Sequence, residues 1–340
     1  MRIAVLGRTR MLYDTVEVLR KGGHEIVIIG TCKAAPEYET GENAFEKKAA
    51  ELQVPFFNNV NLTLPSVVDL IKESKPDIAV SVNWLTVIQK QTMDLFPYGI
   101  LNGHAGDLPR YRGNACPNWA IINGEEKIGL SVHFMEAGHL DSGDVVVKNF
   151  IDVNKDTTIG EIYDKMESLF PAMFLQAVEK IEDMGKAAGI PQSKQKEDIL
   201  RCYPRMPGDS CIDWSVPCAE IDRLIRASGH PFQGAYTFLN GKEKIYIQKA
   251  SIGEYEFPSV AVYGQVVLRD CENDCVGIAA RDGVVMIYEI SDEDHKVCRV
   301  VEKIRSMRDR MGICVFDKLY ELMKEVEMLK MEINRNGDEK

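Results

Sequence analysis

The chain has 340 residues, of which 45% are hydrophobic and 27% are charged, and its formal net charge is −11. This length and composition are typical of a globular protein with two domains, and not of a disordered or fibrous chain. Because contacts to nucleic-acid phosphates need clustered lysines and arginines, the acidic balance excludes DNA as an expected partner and makes tRNA a less favoured one.

Strand and helix signals alternate over the first hundred residues. Apolar runs predict buried strands, and apolar residues at helical spacing predict helices. The predicted strands are 2–7, 24–30, 54–57, 77–82 and 98–101, and the predicted helices are 11–21, 43–52, 64–74 and 89–96. This alternation predicts an α/β fold with a doubly wound, mostly parallel sheet. Such sheets bind ligands at the carboxyl ends of their strands.

Two more strands and a long helix follow. The strands are predicted at 129–136 and 144–151, with a turn at Asp141-Ser142-Gly143 between them. A helix over 158–184 begins with Thr158, and Glu161 stands three residues later, which is the spacing of a capping box. Pro171 lies inside this helix and is expected to kink or split it.

The pattern changes at about residue 185, where Gly, Pro, Lys, Gln and Ser dominate. A helix is predicted at 216–226, and strands at 236–239, 243–249, 264–268, 275–280 and 284–288. Asn240-Gly241 and Asp282-Gly283 between such strands are strong hairpin signals. The expected organisation is a catalytic domain (1–185), a linker (186–209), a smaller β-rich, barrel-like domain (210–305) and a tail (306–340), in which 316–334 form a charged amphipathic helix.

Nine cysteines are spread along the chain without a Cys-x-x-Cys pair. Cys271 and Cys275 are four positions apart, but no second pair or histidine cluster accompanies them, so no metal site is predicted. Unpaired thiols are typical of the reducing cytoplasm, which is the expected location. No apolar run approaches the ~20 residues that a membrane span needs, and no signal peptide is evident, so no membrane partner is expected.

Several common active-site motifs are missing from the sequence. The first strand is followed by Gly7-Arg8-Thr9-Arg10, which lacks the Gly-x-Gly-x-x-Gly that brings backbone close to a dinucleotide. Neither a Gly-x-x-x-x-Gly-Lys-Ser/Thr loop nor a Gly-x-Ser-x-Gly motif occurs. A dinucleotide-dependent dehydrogenase, a P-loop NTPase and an α/β-hydrolase are therefore disfavoured.

Asn102, His104 and Asp141 remain as candidate catalytic residues. Asn102 and His104 follow the strand at 98–101, and residues i and i+2 of an extended chain face the same side. The amide can stabilise an oxyanion, the imidazole can move a proton near neutral pH, and the carboxylate can orient the imidazole and raise its pKa. Each residue alone is also typical of a turn or a buried core. Together they are the groups that acyl transfer to an amine needs.

Further residues resemble the N10-formyltetrahydrofolate-dependent formyltransferases, which include methionyl-tRNA formyltransferase and the sugar N-formyltransferases. In the first half the matching residues are Asn102-Gly103-His104, Leu108-Pro109, Tyr111-Arg112-Gly113, Pro117, Trp119-Ala120-Ile121, Gly129 and Leu140-Asp141-Ser142-Gly143. In the second half they are Ile212-Asp213-Trp214, Ile225-Arg226-Ala227, Pro231-Phe232 and Gly234-Ala235-Tyr236-Thr237-Phe238. The resemblance covers about residues 1–290 and implies an enzyme of this family.

The resemblance also implies where the site residues lie. Asn102, His104 and Asp141 would form the catalytic triad, and N10-formyltetrahydrofolate would be the co-substrate. The pterin ring would lie near two loops, whose candidate cofactor-binding residues are Asn83, Leu85, Val87, Ile88, Gly138 and His139. Leu85, Val87 and Ile88 are equally typical of a hydrophobic core.

The acceptor is where this sequence departs from the family members that act on tRNA. Those carry Ser-Leu-Leu-Pro after the histidine, whereas Ala105-Gly106-Asp107-Leu108-Pro109 stands here, and residues 31–42 are net acidic where those enzymes are basic. Both differences favour a small primary amine on a nucleotide-linked amino sugar, with methionyl-tRNA as the alternative. Candidate substrate-binding residues are Arg8, Arg10, Arg110, Tyr111 and Arg112, since arginine binds phosphate in a forked geometry. A non-enzymatic protein with a tail that forms a homo-oligomer is a third reading, against which the intact triad argues.

Overall fold

The computed structural model describes residues 1–35, 38–257, 259–313 and 315–338. The chain forms two units, Met1–Arg205 and Met206–Lys340. Two residues of the predicted acidic stretch, Pro36 and Glu37, and one of the nine cysteines, Cys314, lie outside the described residues.

The first unit is an α/β unit. Its strands are β1 (Arg2–Gly7), β2 (Glu25–Thr31), β3 (Phe56–Asn58), β4 (Ile78–Val82), β5 (Ile100–His104), β6 (Arg112–Gly113), β7 (Lys127–Phe134), β8 (Val145–Asp152) and β9 (Arg201–Cys202). Its helices are α1 (Arg10–Lys21), α2 (Glu42–Leu52), α3 (Pro65–Ser74), α4 (Lys90–Met93), α5 (Cys116–Ile122) and α6 (Ile159–Met184). Seven strands form one sheet in the order β3-β2-β1-β4-β5-β7-β8. Strands β1 to β5 pair in parallel, and β7 and β8 extend the sheet by antiparallel pairing, which confirms the predicted mostly parallel sheet.

The central strands are apolar because helices cover both of their faces. All five residues of β4 are buried, and so are the last five residues of β1. Helix α1 begins at the N-cap Thr9 and turns Leu12, Val16 and Leu19 into the core. Helix α4 is shorter than the predicted 89–96, and Pro97 explains only the non-helical conformation of Phe96, the residue before it.

Strand β5 extends beyond its apolar run and carries the candidate residues. It begins at Ile100 and ends at His104, so Asn102 and His104 lie on the strand. The predicted strand, 98–101, had placed them after it. Asn102 pairs with Ser81 of β4 on one side and with His133 of β7 on the other. A Cβ atom on Gly103 would lie 3.0 Å from Phe174 and 3.1 Å from Phe170, so the glycine lets α6 pack directly on this strand.

Helix α6 is a single helix of 26 residues. The predicted capping box is present, since the Thr158 N–H donates to Glu161 at 2.8 Å and the Glu161 N–H donates to the Thr158 hydroxyl at 3.4 Å. Of the two predicted effects of Pro171, a kink or a split, the split is wrong, because the helix continues through this residue. A proline removes one backbone N–H from the helical ladder. The buried side chains around Pro171, among them Phe170 and Phe174, hold the remaining turns against the sheet.

Residues 186–205 of the predicted linker lie within the first unit. Short 3₁₀ turns occur at Gly185–Ala188 and Lys196–Asp198, and β9 pairs in parallel with β6. The segment thus returns to the loop that follows β5. Among the described helices, none combines the length and apolar character that crossing a membrane requires.

The second unit is mostly antiparallel sheet. Its elements are α7 (Cys218–Ser228), β10 (Ala235–Leu239), β11 (Glu243–Gly253), β12 (Val266–Asp270), β13 (Cys275–Ala279), β14 (Val284–Ser291), β15 (Val297–Cys298), α8 (Val300–Lys303) and α9 (Val315–Asp338), preceded by a 3₁₀ turn at Pro207–Ser210. The strand order is β10-β11-β14-β13-β12, with β15 beside β14. Arg310 bridges to Gln265 and Met311 bridges to Leu239, so one segment reaches both edges of the sheet, as in the expected barrel-like domain. Trp214, Ile221 and Ile225 join the strands in one core.

Candidate active site

The structure brings His104 and Asp141 together. Strand β5 supplies His104, and the loop between β7 and β8 supplies Asp141, whose Oδ2 lies 3.7 Å from His104 Nδ1. Both side chains are more than nine-tenths buried. The Gly113 N–H donates to the same carboxylate oxygen at 2.9 Å. This backbone donor holds the carboxylate beside the ring and leaves it able to stabilise a positive charge on Nδ1.

His133 is a member of this cluster that the sequence analysis missed. Its Nε2 lies 3.3 Å from Asn102 Nδ2 and 3.6 Å from Asp141 Oδ1, and its ring is 6.2 Å from that of His104. Its Nδ1 lies 2.7 Å from the Phe134 carbonyl oxygen. In the neutral ring this contact places the proton on Nδ1, so Nε2 accepts from Asn102 and fixes which end of the amide faces inward. The only signal in the sequence is a lone polar ring within an apolar strand.

The ring of His104 is held from the opposite side by the loop that follows β5. Its Nε2 lies 2.6 Å from the Tyr111 carbonyl oxygen, so Nε2 carries a proton and donates it to that oxygen. A second proton taken up by the ring would therefore reside on Nδ1, next to Asp141. The loop itself is anchored because the buried Ser131 hydroxyl donates to the Gly106 carbonyl oxygen at 2.7 Å.

Gly106 is needed where the loop passes the imidazole. A Cβ atom at this position would lie 2.3 Å from the Tyr111 carbonyl oxygen and 2.5 Å from His104 Nε2. Both distances are far below van der Waals contact, so a side chain here would displace either the loop or the ring. The hydrogen bond between His104 and Tyr111 therefore depends on glycine at position 106.

Burial and charge act in opposite directions on the two ionisable partners. Burial lowers the pKa of His104, and this effect exceeds the raising effect of the Asp141 carboxylate. Burial also opposes the ionisation of Asp141, but the neighbouring His104 and His133 and the Gly113 N–H lower its pKa to about 2. The carboxylate is therefore ionised at neutral pH, and the His104 ring is neutral and can accept a proton.

Four residues around the cluster have unusual backbone conformations. Asn83, Tyr111, Ala115 and Asp141 have φ angles of 54°, 58°, 51° and 51°, in the left-handed region. Residues other than glycine rarely adopt this region, and such strain is common at functional sites. At Asp141 it turns the carboxylate back toward β5 from a loop that would otherwise lead on to β8.

Gln192 connects the candidate residue Arg112 to the Asp141 loop. Its side-chain oxygen accepts from Arg112 at 2.6 and 3.2 Å, and its nitrogen donates to the carbonyl oxygens of Asp141 and Gly143 at 2.9 and 2.7 Å. Burial lowers the pKa of Arg112. Sequence reasoning missed Gln192, because it lies in a segment whose composition is that of a linker.

The other residues predicted to bind the acceptor substrate already have partners in the protein. Arg8 donates to the carbonyl oxygens of Asn83 and Lys33, both at 2.9 Å, and lies over the Tyr38 ring. Arg10 pairs with Asp14, and Arg110 pairs with Glu125. Tyr111 is buried and its hydroxyl donates to Glu125 at 2.7 Å. Engagement of phosphate by any of these arginines would require an exchange of partners.

The predicted cofactor residues divide into exposed and buried ones. Leu85 and Val87 are 49% and 72% exposed on the loop after β4, beside the carboxyl end of β5, whereas Ile88 is buried in the core. On the same loop the Trp84 Nε1 is buried and has no hydrogen-bond partner among the described residues. Gly138 and His139 lie in the exposed turn before Asp141, and Asn83 donates to the Tyr38 hydroxyl. Exposed apolar side chains on the same loop as an unpaired N–H fit a flat heteroaromatic ring such as pterin.

Known proteins resemble the chain over both units. A methionyl-tRNA formyltransferase of Alkaliphilus oremlandii is 30% identical over 85% of this chain and 91% of its own length. One of Geotalea daltonii is 31% identical over 87% of this chain and 92% of its own length. The structure of an N-formyltransferase from Helicobacter canadensis, in complex with folinic acid and dTDP-3-aminofucose, superposes with a TM-score of 0.62 at 16% identity, over 84% of this chain and 98% of that one, and shows a shared fold.

Family profiles match both units separately. The profile described as "Formyl transferase" matches residues 1–178, and "Formyl transferase, C-terminal domain" matches residues 206–308. Together they cover most of the chain, and they confirm the predicted enzyme class, a formyltransferase. The chain therefore belongs to the formyl transferase family.

Proposed function

We propose that the protein transfers the formyl group of N10-formyltetrahydrofolate to a primary amine at the site formed by Asn102, His104 and Asp141. The observation that carries this proposal is the buried His104–Asp141 pair at the carboxyl end of β5, with a neutral imidazole beside an ionised carboxylate. These groups can remove a proton from an amine that becomes cationic as it attacks. No nucleophilic side chain is required, because the amine attacks the formyl carbon directly.

Asn102 would stabilise the charge that develops on the formyl oxygen. When bound, N10-formyltetrahydrofolate supplies an electrophilic formyl carbon. The Asn102 amide stands on the same strand as His104, and one of its N–H bonds is directed to His133. The amide is therefore oriented before substrate binds, and its second N–H can donate to an oxyanion. His133 acts through Asn102 and is a positioning residue.

His104 would take the proton of the attacking amine on Nδ1. Nε2 already carries a proton that is donated to Tyr111. The resulting imidazolium would lie beside Asp141, whose charge stabilises it. Asp141 thus raises the proton affinity of the ring without itself becoming protonated. The loop with Leu85 and Val87 would hold the pterin ring, and Trp84 would offer its N–H to it.

Methionyl-tRNA is the acceptor that sequence similarity favours. Relatives with this name are about 30% identical to the chain and align with both of its units. The acidic net charge of −11 is the main argument against a polyanion. A local basic surface can still bind phosphates in a protein of acidic overall charge.

A nucleotide-linked amino sugar is the second candidate acceptor. Two observations favour it: residues 31–42 are net acidic, and Ala105-Gly106-Asp107 replaces the sequence typical of the tRNA enzymes. Asp107 is ion-paired with Lys148 at 2.7 Å, so this lysine is not free to bind a phosphate. A small acceptor needs fewer phosphate contacts than an acceptor stem does.

The acceptor can be identified by comparing the candidate acceptors in separate kinetic assays. The purified protein is given N10-formyltetrahydrofolate with methionyl-tRNA, or with thymidine- and uridine-diphosphate amino sugars, and kcat/KM is measured for each. We expect methionyl-tRNA to exceed every amino sugar by roughly 100-fold or more, which corresponds to about 3 kcal/mol of transition-state binding. Its KM should rise steeply between 50 and 200 mM salt, because counterions compete for the phosphate contacts.

Two variants test the proposed catalytic site independently of which acceptor the protein uses. His104→Gln should abolish transfer to all acceptors, while His230→Gln replaces an exposed imidazole of the second unit and should retain activity on all of them. Faster formylation of an amino sugar would reverse the order of the two candidates. Formyl transfer that persists in His104→Gln would contradict the proposed site.

A further inference from the structure

Helix α9 presents apolar side chains that one copy of the protein leaves exposed. Leu319, Leu322, Val326 and Leu329 are between 47% and 55% exposed, although each is a residue that folded proteins usually bury. The helix lies beyond residues 206–308, which the C-terminal family profile matches. The family fold therefore does not account for these side chains.

The four residues are spaced as a heptad repeat. They follow one another at intervals of three, four and three residues, which assigns Leu319 and Val326 to a positions and Leu322 and Leu329 to d positions. In the sequence the same spacing extends to Val315 and Ile333. In parallel coiled coils, leucine at d with a β-branched residue at a, such as Val326, favours two strands over three or four. In proteins, most of the stability of a helix comes from packing of its apolar face against a partner.

The charges that flank these a and d positions are complementary between two parallel copies. Glu325 occupies a g position and Lys330 the following e position. In a parallel pair in register, Glu325 of one copy lies next to Lys330 of the other, and this occurs twice. In an antiparallel pair that keeps the four apolar residues in contact, Glu325 of one copy would instead lie next to Glu325 of the other, and the two carboxylates would repel each other. The charges therefore favour the parallel arrangement.

We propose that α9 joins two copies of this protein through a parallel two-stranded coiled coil. Its core is formed by Leu319, Leu322, Val326 and Leu329, and its register is fixed by the pairs between Glu325 and Lys330. This inference does not depend on the acceptor or on the reaction. A second copy of α9 would both cover the apolar heptad positions and pair with the flanking charges.

Sedimentation equilibrium of the full-length protein measures the dimer and tests whether its apolar core holds the two copies together. The double variant Leu322→Glu/Leu329→Glu should raise the dissociation constant of the dimer roughly 100-fold or more, because four carboxylates would enter the core. The matched control is Met328→Glu/Met331→Glu, which places the same two charges at exposed c and f positions of the same helix and should leave the dimer intact. A monomeric wild type at 100 µM concentration, or equal loss in both double variants, would overturn the proposal.

Charge reversal tests the register with variants that leave the apolar core unchanged. Glu325→Lys alone and Lys330→Glu alone should each weaken the dimer roughly tenfold, since two attractive pairs become repulsive. The double variant Glu325→Lys/Lys330→Glu should restore the wild-type value. A mixture of the two single variants should form the heterodimer preferentially. An unchanged dissociation constant for Glu325→Lys alone is the result expected for antiparallel helices, in which the facing pair stays like-charged, and it would refute the parallel register.

Discussion

At the scale of single residues, Asp141 is the point at which the site is held together. Its two oxygens face different imidazoles, His104 at 3.7 Å and His133 at 3.6 Å, and a backbone N–H fixes their orientation. One carboxylate therefore lies beside both rings, and its charge can stabilise a proton that His104 takes up. The left-handed φ of 51° at Asp141 is the conformational cost of this arrangement.

Replacing Asp141 by asparagine should lower the pKa of His104 further. The carboxylate is the charge that raises this pKa against the effect of burial, and the amide removes it. Formyl transfer should fall roughly 10²- to 10⁴-fold, because proton removal loses its support. An NMR titration of the histidine rings and steady-state kinetics measure the two effects. Asp144→Asn in the same loop is the control. An unchanged pKa of His104 in Asp141→Asn would contradict this role.

At the scale of elements, the position of β5 depends on α6. Gly103 brings the strand against Phe170 and Phe174, and both rings are almost completely buried. The helix thus forms the wall behind the strand that carries Asn102 and His104. A loss of packing at this wall should affect stability first and the geometry of the catalytic strand second.

Phe174→Ala should lower the free energy of unfolding by about 3–5 kcal/mol, because it removes a buried ring and leaves a cavity. Phe150→Ala is the matched control, since this phenylalanine is 46% exposed on β8, and should cost much less. Urea unfolding followed by tyrosine and tryptophan fluorescence measures both variants. Equal losses would show that α6 does not support β5 in this way.

Much of the first unit could be predicted from the sequence, because its strands are continuous apolar runs and its helices have apolar faces. The capping box at Thr158 and the hairpin signal at Asn240-Gly241 are local and were predicted too. Strands β6 and β9 could not be, since two residues carry no periodicity and their pairing joins distant segments. His133 and Gln192 could not be placed for the same reason, because strand register and a returning loop bring them to the site.

At the scale of the whole molecule, two buried imidazoles connect stability to pH. Burial lowers the pKa of both His104 and His24, and for His24 the N-terminal amine 3.2 Å away adds to the effect. Their folded pKa values lie below the unfolded value of 6.5. As the pH falls below 6.5, the unfolded chain binds protons that the folded chain does not, and stability is lost.

Calorimetric unfolding of the protein between pH 7.5 and 5 tests this dependence. The free energy of unfolding of the first unit should decrease as the pH falls below about 6.5, by up to about 1.4 kcal/mol per pH unit for each imidazole. His24→Gln should reduce the slope, and His139→Gln, at an exposed position, should not. A constant stability across this range would contradict the lowered pKa values.

The close approach of Gly106 to His104 limits how this enzyme could be redesigned. With the ring nitrogen and the Tyr111 carbonyl oxygen both within 2.5 Å of where a Cβ would stand, the loop and the base share one space. Grafting a loop with a larger residue at position 106, as an engineer would to change the acceptor, would also move the imidazole. Acceptor choice and proton transfer cannot be altered one at a time at this position. A successful exchange would have to rebuild residues 106–111 together.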